Sequence, residues 1–242
     1  MIPHSGLRSW KYAVEGFGPA LEKILRRRGD LPGQVIYRTG HKECLLLSGD
    51  FTGMPYRVVF KRYRDKRLWQ HLLRSSPAYR EYCGFALTSA AGIPVAEVLA
   101  VGEIRRCGHL VEAFFVTRFE EGAESGFDFQ QGERDEARLD EFVRLNLALL
   151  AKLHSAGLIH GGFHPRNELY RIGEDGRMSV VWLDLATVKE AGRRSAEKDR
   201  REDLTRFLRE FAFPPERERG YREYYAAKLG GSDSGAVSKN GD

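Results

Sequence analysis

The first half of the chain contains short runs of residues that favour β-strands, separated by turns that contain glycine. These runs span residues 34–39, 43–48 and 56–63, and together they predict an antiparallel meander. Successive side chains of a strand point to opposite faces, so Lys61 lies on the face opposite Phe60. The pattern therefore predicts a sheet from which Lys61 projects into any cleft beneath it.

Two further strands are predicted at residues 95–104 and 109–119, on either side of a hairpin turn. A change to polar residues and glycine follows at 120–126, and it predicts the end of the β-rich region. Later in the chain, a strand pair is predicted at 168–172 and 178–183, around a turn rich in glycine and acidic residues.

Helical periodicity dominates the second half of the chain. The longest predicted helix spans residues 133–156, where leucine and other apolar residues recur at helical spacing and Gly157 provides the stop. Shorter helices are predicted at 19–28, 77–91 and 202–211, with a last helix that ends at Lys228. Strands in the first half of the chain, followed mainly by helices in the second half, predict an α+β protein.

We expect two lobes, a β-rich N-lobe over residues 1–121 and a mainly helical C-lobe over 122–229. The glycine- and serine-rich residues 230–242 are expected to form a disordered tail.

The amino-acid composition and charge indicate which classes of partner and which cellular compartment are expected. The 242 residues carry a net charge of +5 and a pI near 9.1, which favours anionic partners such as nucleotides, phosphorylated sugars, anionic lipid surfaces or nucleic acid. Three scattered cysteines argue against a zinc site or a disulfide framework. Neither a signal peptide nor a transmembrane stretch is visible, so a cytoplasmic protein is expected.

The most informative segment is His160–Asn167, with the sequence HGGFHPRN. Asp184 follows Asn167 by seventeen residues and ends the apolar run of the second strand of the predicted pair. Asn167 and Asp184 should therefore lie at adjacent strand ends, where two oxygen ligands suit Mg²⁺.

This segment resembles the active centre of protein-kinase-like phosphotransferases, which is written His-x-Asp-x-x-x-x-Asn and is followed by a metal-binding Asp. The resemblance implies a bilobal protein-kinase-like fold, with ATP and Mg²⁺ as cofactors. His160, Asn167 and Asp184 are in register with the family pattern, and the last two would bind the metal. Gly162 stands where the family has its catalytic Asp.

The same resemblance assigns roles in the N-lobe. Lys61 corresponds to the lysine that holds the nucleotide phosphates, and Glu81, early in its helix, to the glutamate that pairs with this lysine. Glu120 and Glu121 follow the strand whose exit holds adenine in kinases, so they are candidates by position. Without the resemblance, Lys61 reads as a solvent-facing lysine and Glu81 as a first-turn acid.

Residues 80–95 and 100–102 also resemble the bacterial kinases of lipopolysaccharide core sugars, the Kdo and heptose kinases. This narrower resemblance implies transfer of the γ-phosphate of ATP to a sugar hydroxyl. Its implied partners are a nucleotide, lipopolysaccharide core or another phosphorylated glycolipid, and the cytoplasmic face of the inner membrane. The basic run Lys189–Arg201 is either a contact for such a ligand or a solvated face.

Three hypotheses remain open because Gly162 replaces the catalytic Asp. The first is a slow or rerouted kinase in which His164 orients the acceptor. The second is a pseudokinase that binds nucleotide and regulates or scaffolds cell-envelope biogenesis. The third, a basic nucleic-acid-binding protein, lacks a recognition motif. Two local points also stay open: whether Asp199 or Asp203 caps or anchors the helix at 202–211 near this loop, and whether Gly162 needs a positive φ.

Overall fold

The computed structural model describes residues 7–13, 17–19, 24, 31, 33–64, 75–106, 108–127 and 135–231. The predicted helix at 19–28 falls almost entirely outside the described residues, as do residues 232–242 of the predicted tail. The chain divides into two compact units. The first comprises Met1–Phe85 and Ala96–Glu121, and the second comprises Ala86–Val95 and Gly122–Asp242.

The first unit contains an antiparallel sheet of six strands among the residues described. In sheet order the strands are β1 (Leu7–Ala13), β5 (Val98–Arg106), β6 (His109–Arg118), β4 (Val58–Tyr63), β3 (Lys42–Leu47) and β2 (Gly33–Arg38). The predicted meander is confirmed, because β2 pairs with β3 and β3 pairs with β4. A short helix, α1 (Gly49–Thr52), lies between β3 and β4, and α2 (Pro77–Ala90) follows β4.

One face of this sheet carries the core of the first unit. Alternate residues of β3, β4 and β6 point into it, and Phe60 and Phe114 stack there with ring centroids 6.1 Å apart. The core is completed by Phe17, Ile24 and Leu31. Because alternation places Phe60 in this core, Lys61 points to the opposite face.

The second unit is organised around α3 (Glu136–Ser155). Asp135 caps this helix by accepting hydrogen bonds from two backbone N–H groups, and its buried stripe includes Leu139, Phe142, Leu147 and Leu150. The remaining elements are β7 (Glu124–Ser125), β8 (Leu158–Ile159), β9 (Glu168–Ile172), β10 (Met178–Trp182), β11 (Lys189–Glu190), α4 (Ala196–Arg209) and α5 (Pro215–Gly231).

The strand pair is present as β9 and β10, and β7 joins the edge of β9. The helix α5 ends at Gly231, three residues beyond the predicted end at Lys228. Half-buried Leu229 extends the helix, and no proline follows to stop it.

Residues 86–95 group with the later half of the chain, whereas the sequence suggested a single cut at residue 121. Specific bonds explain this grouping. Lys152 Nζ donates to the Gly92 carbonyl at 2.7 Å, and the Trp182 N–H donates to the Pro94 carbonyl at 3.0 Å. Within the described part of the chain, no helix combines the length and apolarity that a membrane crossing requires.

Candidate functional site

Lys61 and Glu81 form an ion pair in the first unit. Lys61 Nζ donates a hydrogen bond to Glu81 Oε1, and the hydroxyl of Tyr63 donates to Glu81 Oε2. Glu81 is fully buried and the Lys61 side chain is only 12% exposed. The structure thus brings together the two residues that the sequence assigned to this pair.

The environment of the pair fixes the direction of the ammonium group. Both Glu81 carboxylate oxygens are engaged, and Lys61 Nζ lies 6.0 Å from the ring centroid of Phe115. Burying an ion pair costs desolvation energy that its mutual attraction repays only when the geometry is good. A buried lysine held in one direction is suited to meet a phosphate oxygen.

Glu120 and Glu121 follow β6 in the same unit. The carboxylate of Glu121 accepts a hydrogen bond from Arg57 Nε at 2.8 Å, and the Arg57 guanidinium lies 4.3 Å from the ring centroid of Phe119. The Glu121 carboxylate is thus paired with Arg57, and both side chains are about half exposed (54% and 44%). Glu120 is half-buried.

In the second unit, a buried carboxylate anchors the 160–167 loop. Asp203, on α4, is 2% exposed and accepts hydrogen bonds from the backbone N–H groups of His160 at 2.8 Å and Gly161 at 2.9 Å. Oδ2 of Asp203 accepts from His160, and Oδ1 accepts from Gly161. The start of the loop is therefore held by two charge-assisted hydrogen bonds.

Of the two acids that the sequence left open, the structure identifies Asp203 as the anchor, while Asp199 accepts from Ser195 Oγ at 2.8 Å. We expect Asp203→Asn to lower the free energy of unfolding by about 2 kcal/mol, because one buried N–H would face an amide donor. Urea denaturation measures this change. Asp199→Asn is the matched control, since that residue is half-exposed, and an equal loss in both variants would contradict the anchoring role.

His160 lies beneath the loop and is fully buried. Its ring packs against Trp182 and Phe163, with centroid distances of 5.5 and 5.3 Å. Neither ring nitrogen has a hydrogen-bond partner among the residues described. Burial lowers the pKa of His160 to about 4, so the imidazole is neutral at physiological pH.

Gly162 leaves an open position in the loop. The positive φ belongs to its neighbour Gly161 (74°), so the suggestion that Gly162 needs this conformation is wrong. A Cβ atom on Gly162 would lie 3.0 Å from Thr187 Oγ1, and 4.0 Å from both Arg206 Nη1 and His160 Nδ1. Thr187 is exposed and can rotate, so a small displacement would admit a side chain here.

His164, the candidate for orienting an acceptor, has both ring nitrogens engaged. Nδ1 accepts from the Arg166 N–H at 3.1 Å, and Nε2 lies 3.1 Å from Glu210 Oε2. An accepting Nδ1 places the ring proton on Nε2, where it is donated to Glu210. Burial lowers the pKa of His164, and the Glu210 charge opposes this shift. In this arrangement the ring has no lone pair available for a substrate proton.

Asn167 and Asp184 are brought close by the backbone. The Leu183 N–H donates to the Asn167 carbonyl at 2.7 Å, which joins the end of β10 to the end of the loop. Asp184 has a φ of 53°, a conformation that is costly for a residue with a side chain and clusters at functional sites. Fully buried Leu185 follows and fixes the chain beyond it.

This pair of residues fits Mg²⁺ in its donor chemistry. Mg²⁺ prefers oxygen ligands and usually takes only one or two carboxylates from the protein. The described residues contain no cluster of three or more His, Cys, Asp or Glu side chains that could hold a metal ion. A carboxylate and an amide oxygen at adjacent strand ends match an ion that completes its shell with phosphate oxygens and water.

Sequence reasoning missed two residues of this region. Glu168 is fully buried, neither carboxyl oxygen has a hydrogen-bond partner among the described residues, and burial raises its pKa well above the usual value. Arg206 Nη1 donates to the Gly161 carbonyl at 2.8 Å. Strand alternation, which places Glu168 on the same face as buried Tyr170, could have identified the first. The second depends on a contact across 45 residues.

The basic run Lys189–Arg201 is not uniform. Arg193 and Arg194 are exposed, as expected of a charged surface. Arg200, by contrast, is half-buried, and its guanidinium donates to the His154 carbonyl at 3.0 Å. Arg200 therefore supports the end of α3 and does not belong to the exposed surface.

Comparison with known proteins is informative at the level of family and fold. The model of the "Lipopolysaccharide kinase (Kdo/WaaP) family" matches residues 37–228. A solved structure described as "WaaP in complex with acyl carrier protein" is similar with a TM-score of 0.54 and 20% identity, over 88% of this chain and 92% of that chain. No curated protein shows significant similarity. The structural likeness shows a kinase-like α+β fold.

Proposed function

The chain belongs to the lipopolysaccharide kinase (Kdo/WaaP) family, and on that premise we propose that it binds ATP and Mg²⁺ and phosphorylates a sugar of the lipopolysaccharide core. In this reaction the bond between the γ-phosphorus and the β–γ bridging oxygen breaks. A bond from the sugar oxygen to the γ-phosphorus forms, ADP leaves, and the hydroxyl proton passes to solvent.

The observation that carries the proposal is the buried Lys61–Glu81 ion pair. Glu81 and Tyr63 hold the lysine in a direction in which its ammonium group can bind nucleotide phosphates. A simple structural ion pair at this position could often be replaced by apolar residues without loss of stability. The presence of this ion pair on β4, the last strand of the meander, supports a role in binding.

Asn167 and Asp184 would hold Mg²⁺, which when bound neutralises charge on the β- and γ-phosphate oxygens. Other residues of the chain then have to hold the 160–167 loop and Asp184 in place. Asp203 does so by binding the backbone at the start of the loop, and the Leu183 N–H bond to Asn167 does so at its end. Both contacts position groups and neither transfers a proton.

Gly162 and His164 offer no base for the acceptor hydroxyl, since one lacks a side chain and the other has both nitrogens engaged. A positioned base typically accelerates a reaction by roughly 10²–10⁴-fold. Phosphoryl transfer, however, depends mainly on positioning and on charge stabilisation. We therefore propose a slow kinase.

The same observation favours a second candidate, a pseudokinase that binds ATP and acts through a partner in cell-envelope biogenesis. The similar solved structure is of a complex with acyl carrier protein, and a partner of that kind is a candidate here as well. Either role is compatible with attachment to the inner face of the cytoplasmic membrane through exposed basic residues.

A single-turnover assay separates these roles. Excess protein is mixed with γ-labelled ATP, Mg²⁺ and dephosphorylated lipopolysaccharide core, with Lys61→Met as the inactive control. We expect slow, Lys61-dependent transfer of label to the lipopolysaccharide. ATP binding without transfer of label would favour the pseudokinase over the slow kinase. A wild type that neither binds ATP nor transfers label would overturn both proposals.

A further inference from the structure

A cavity of about 310 Å³ opens on α4, on the helix that carries the loop anchor Asp203. It is lined by Arg201, Glu202, Thr205, Arg206 and Arg209. Residues three and four apart share a face of a helix, so these side chains converge on one groove. The volume is sufficient for a small charged group with its hydration.

The charge of the groove is strongly positive. Arg201 and Arg209 are exposed, and within the described ranges neither pairs with a carboxylate. The single acid of the lining, Glu202, faces Lys198 at 3.7 Å. Three guanidinium groups line one groove and repel each other, and an anionic ligand would relieve this repulsion.

The groove adjoins the 160–167 loop through Arg206. Its Nη1 donates to the Gly161 carbonyl at 2.8 Å and lies 4.0 Å from the position of a Cβ on Gly162. Kinases with the His-x-Asp loop pattern carry a carboxylate at the position of Gly162. In this chain Gly162 has no side chain, and the guanidinium group of Arg206 lies beside it. An anion in the groove would be adjacent to the place of the acceptor hydroxyl.

We propose that this groove binds a phosphomonoester carried by the acceptor, next to the hydroxyl that is phosphorylated. The inference rests on the proposed function. Guanidinium groups bind phosphate through paired hydrogen bonds, and two exposed arginines flanking a third can surround it. The acceptor class is thus a sugar that already bears phosphate, either soluble or attached to a lipid.

The test measures binding of glucose 6-phosphate by calorimetry, with a saturating non-hydrolysable ATP analogue present to fill the nucleotide site. We expect Arg201→Gln and Arg209→Gln each to weaken binding about tenfold, the scale of a hydrogen bond between charged groups. Binding should also weaken with salt. Arg219→Gln, an exposed arginine of α5 outside the groove, is the matched control.

Three outcomes are distinguishable. Binding equal in wild type and in both groove variants, or binding of glucose as tight as that of its phosphate, would overturn the inference. Arginine-dependent binding only to phosphatidic acid vesicles, with none to glucose 6-phosphate, would also overturn it in favour of a membrane contact. Stabilisation by ATP is measured in each variant, so that loss of the phosphate site and failure of nucleotide binding are seen separately.

Discussion

Replacing Gly162 by Asp should increase the rate of γ-phosphoryl transfer by about 10² or more, the usual effect of a placed general base. The backbone at Gly162 does not use a positive φ, so it can accept a residue with a side chain, and the tight contact of an added Cβ is with the exposed Thr187. Arg206 Nη1, 4.0 Å from the new Cβ, would help to orient the carboxylate. Single-turnover transfer to lipopolysaccharide core measures the change.

Gly162→Ala is the control, because it adds the Cβ without the carboxylate. We expect it to leave the transfer rate close to that of wild type and to change the melting temperature as little as Gly162→Asp does. Equal rates in all three proteins, with ATP binding intact, would contradict the view that a missing base limits transfer. Loss of stability in both variants would instead contradict the description of this position as open.

The second large effect is expected for Lys61→Met. At a concentration one hundredfold above its dissociation constant, ATP with Mg²⁺ should stabilise the wild type by about 2.7 kcal/mol. The variant should lose most of this stabilisation, because it lacks the ammonium group that pairs with Glu81. Thermal denaturation with and without nucleotide measures it.

The variant without nucleotide should also be less stable than wild type, since buried Glu81 loses its partner. The stabilisation by ATP is therefore measured as the difference between each protein with ATP and the same protein without ATP. Lys228→Met, an exposed lysine of α5, is the matched control and should keep the full effect. Equal stabilisation of Lys61→Met and Lys228→Met would exclude Lys61 from the nucleotide site.

Alternation and spacing were sufficient to predict the part of the fold that is local in sequence. The meander of β2, β3 and β4 was predicted because each strand pairs with the next one along the chain. The strand β1 was missed, because Leu7–Ala13 pairs with β5, about ninety residues later. No local pattern encodes such a pairing.

The same distinction applies to the site. Lys61 could be placed from strand alternation, and its pairing with Glu81 from the family resemblance. The roles of Asp203 and Arg206 depend on contacts with a loop more than forty residues away. The engagement of Nε2 of His164 likewise depends on Glu210, which lies 46 residues later in the sequence.

We propose that this chain binds ATP together with Mg²⁺, although Gly162 leaves its 160–167 loop without a catalytic carboxylate. Calorimetric titration of ATP into wild type and Asp184→Asn, each with and without Mg²⁺, tests it most directly. We expect wild type to bind ATP much more tightly with Mg²⁺ than without it, and Asp184→Asn to lose this dependence on the metal. Absence of ATP binding by wild type with Mg²⁺, or binding that neither the metal nor Asp184→Asn alters, would contradict the claim.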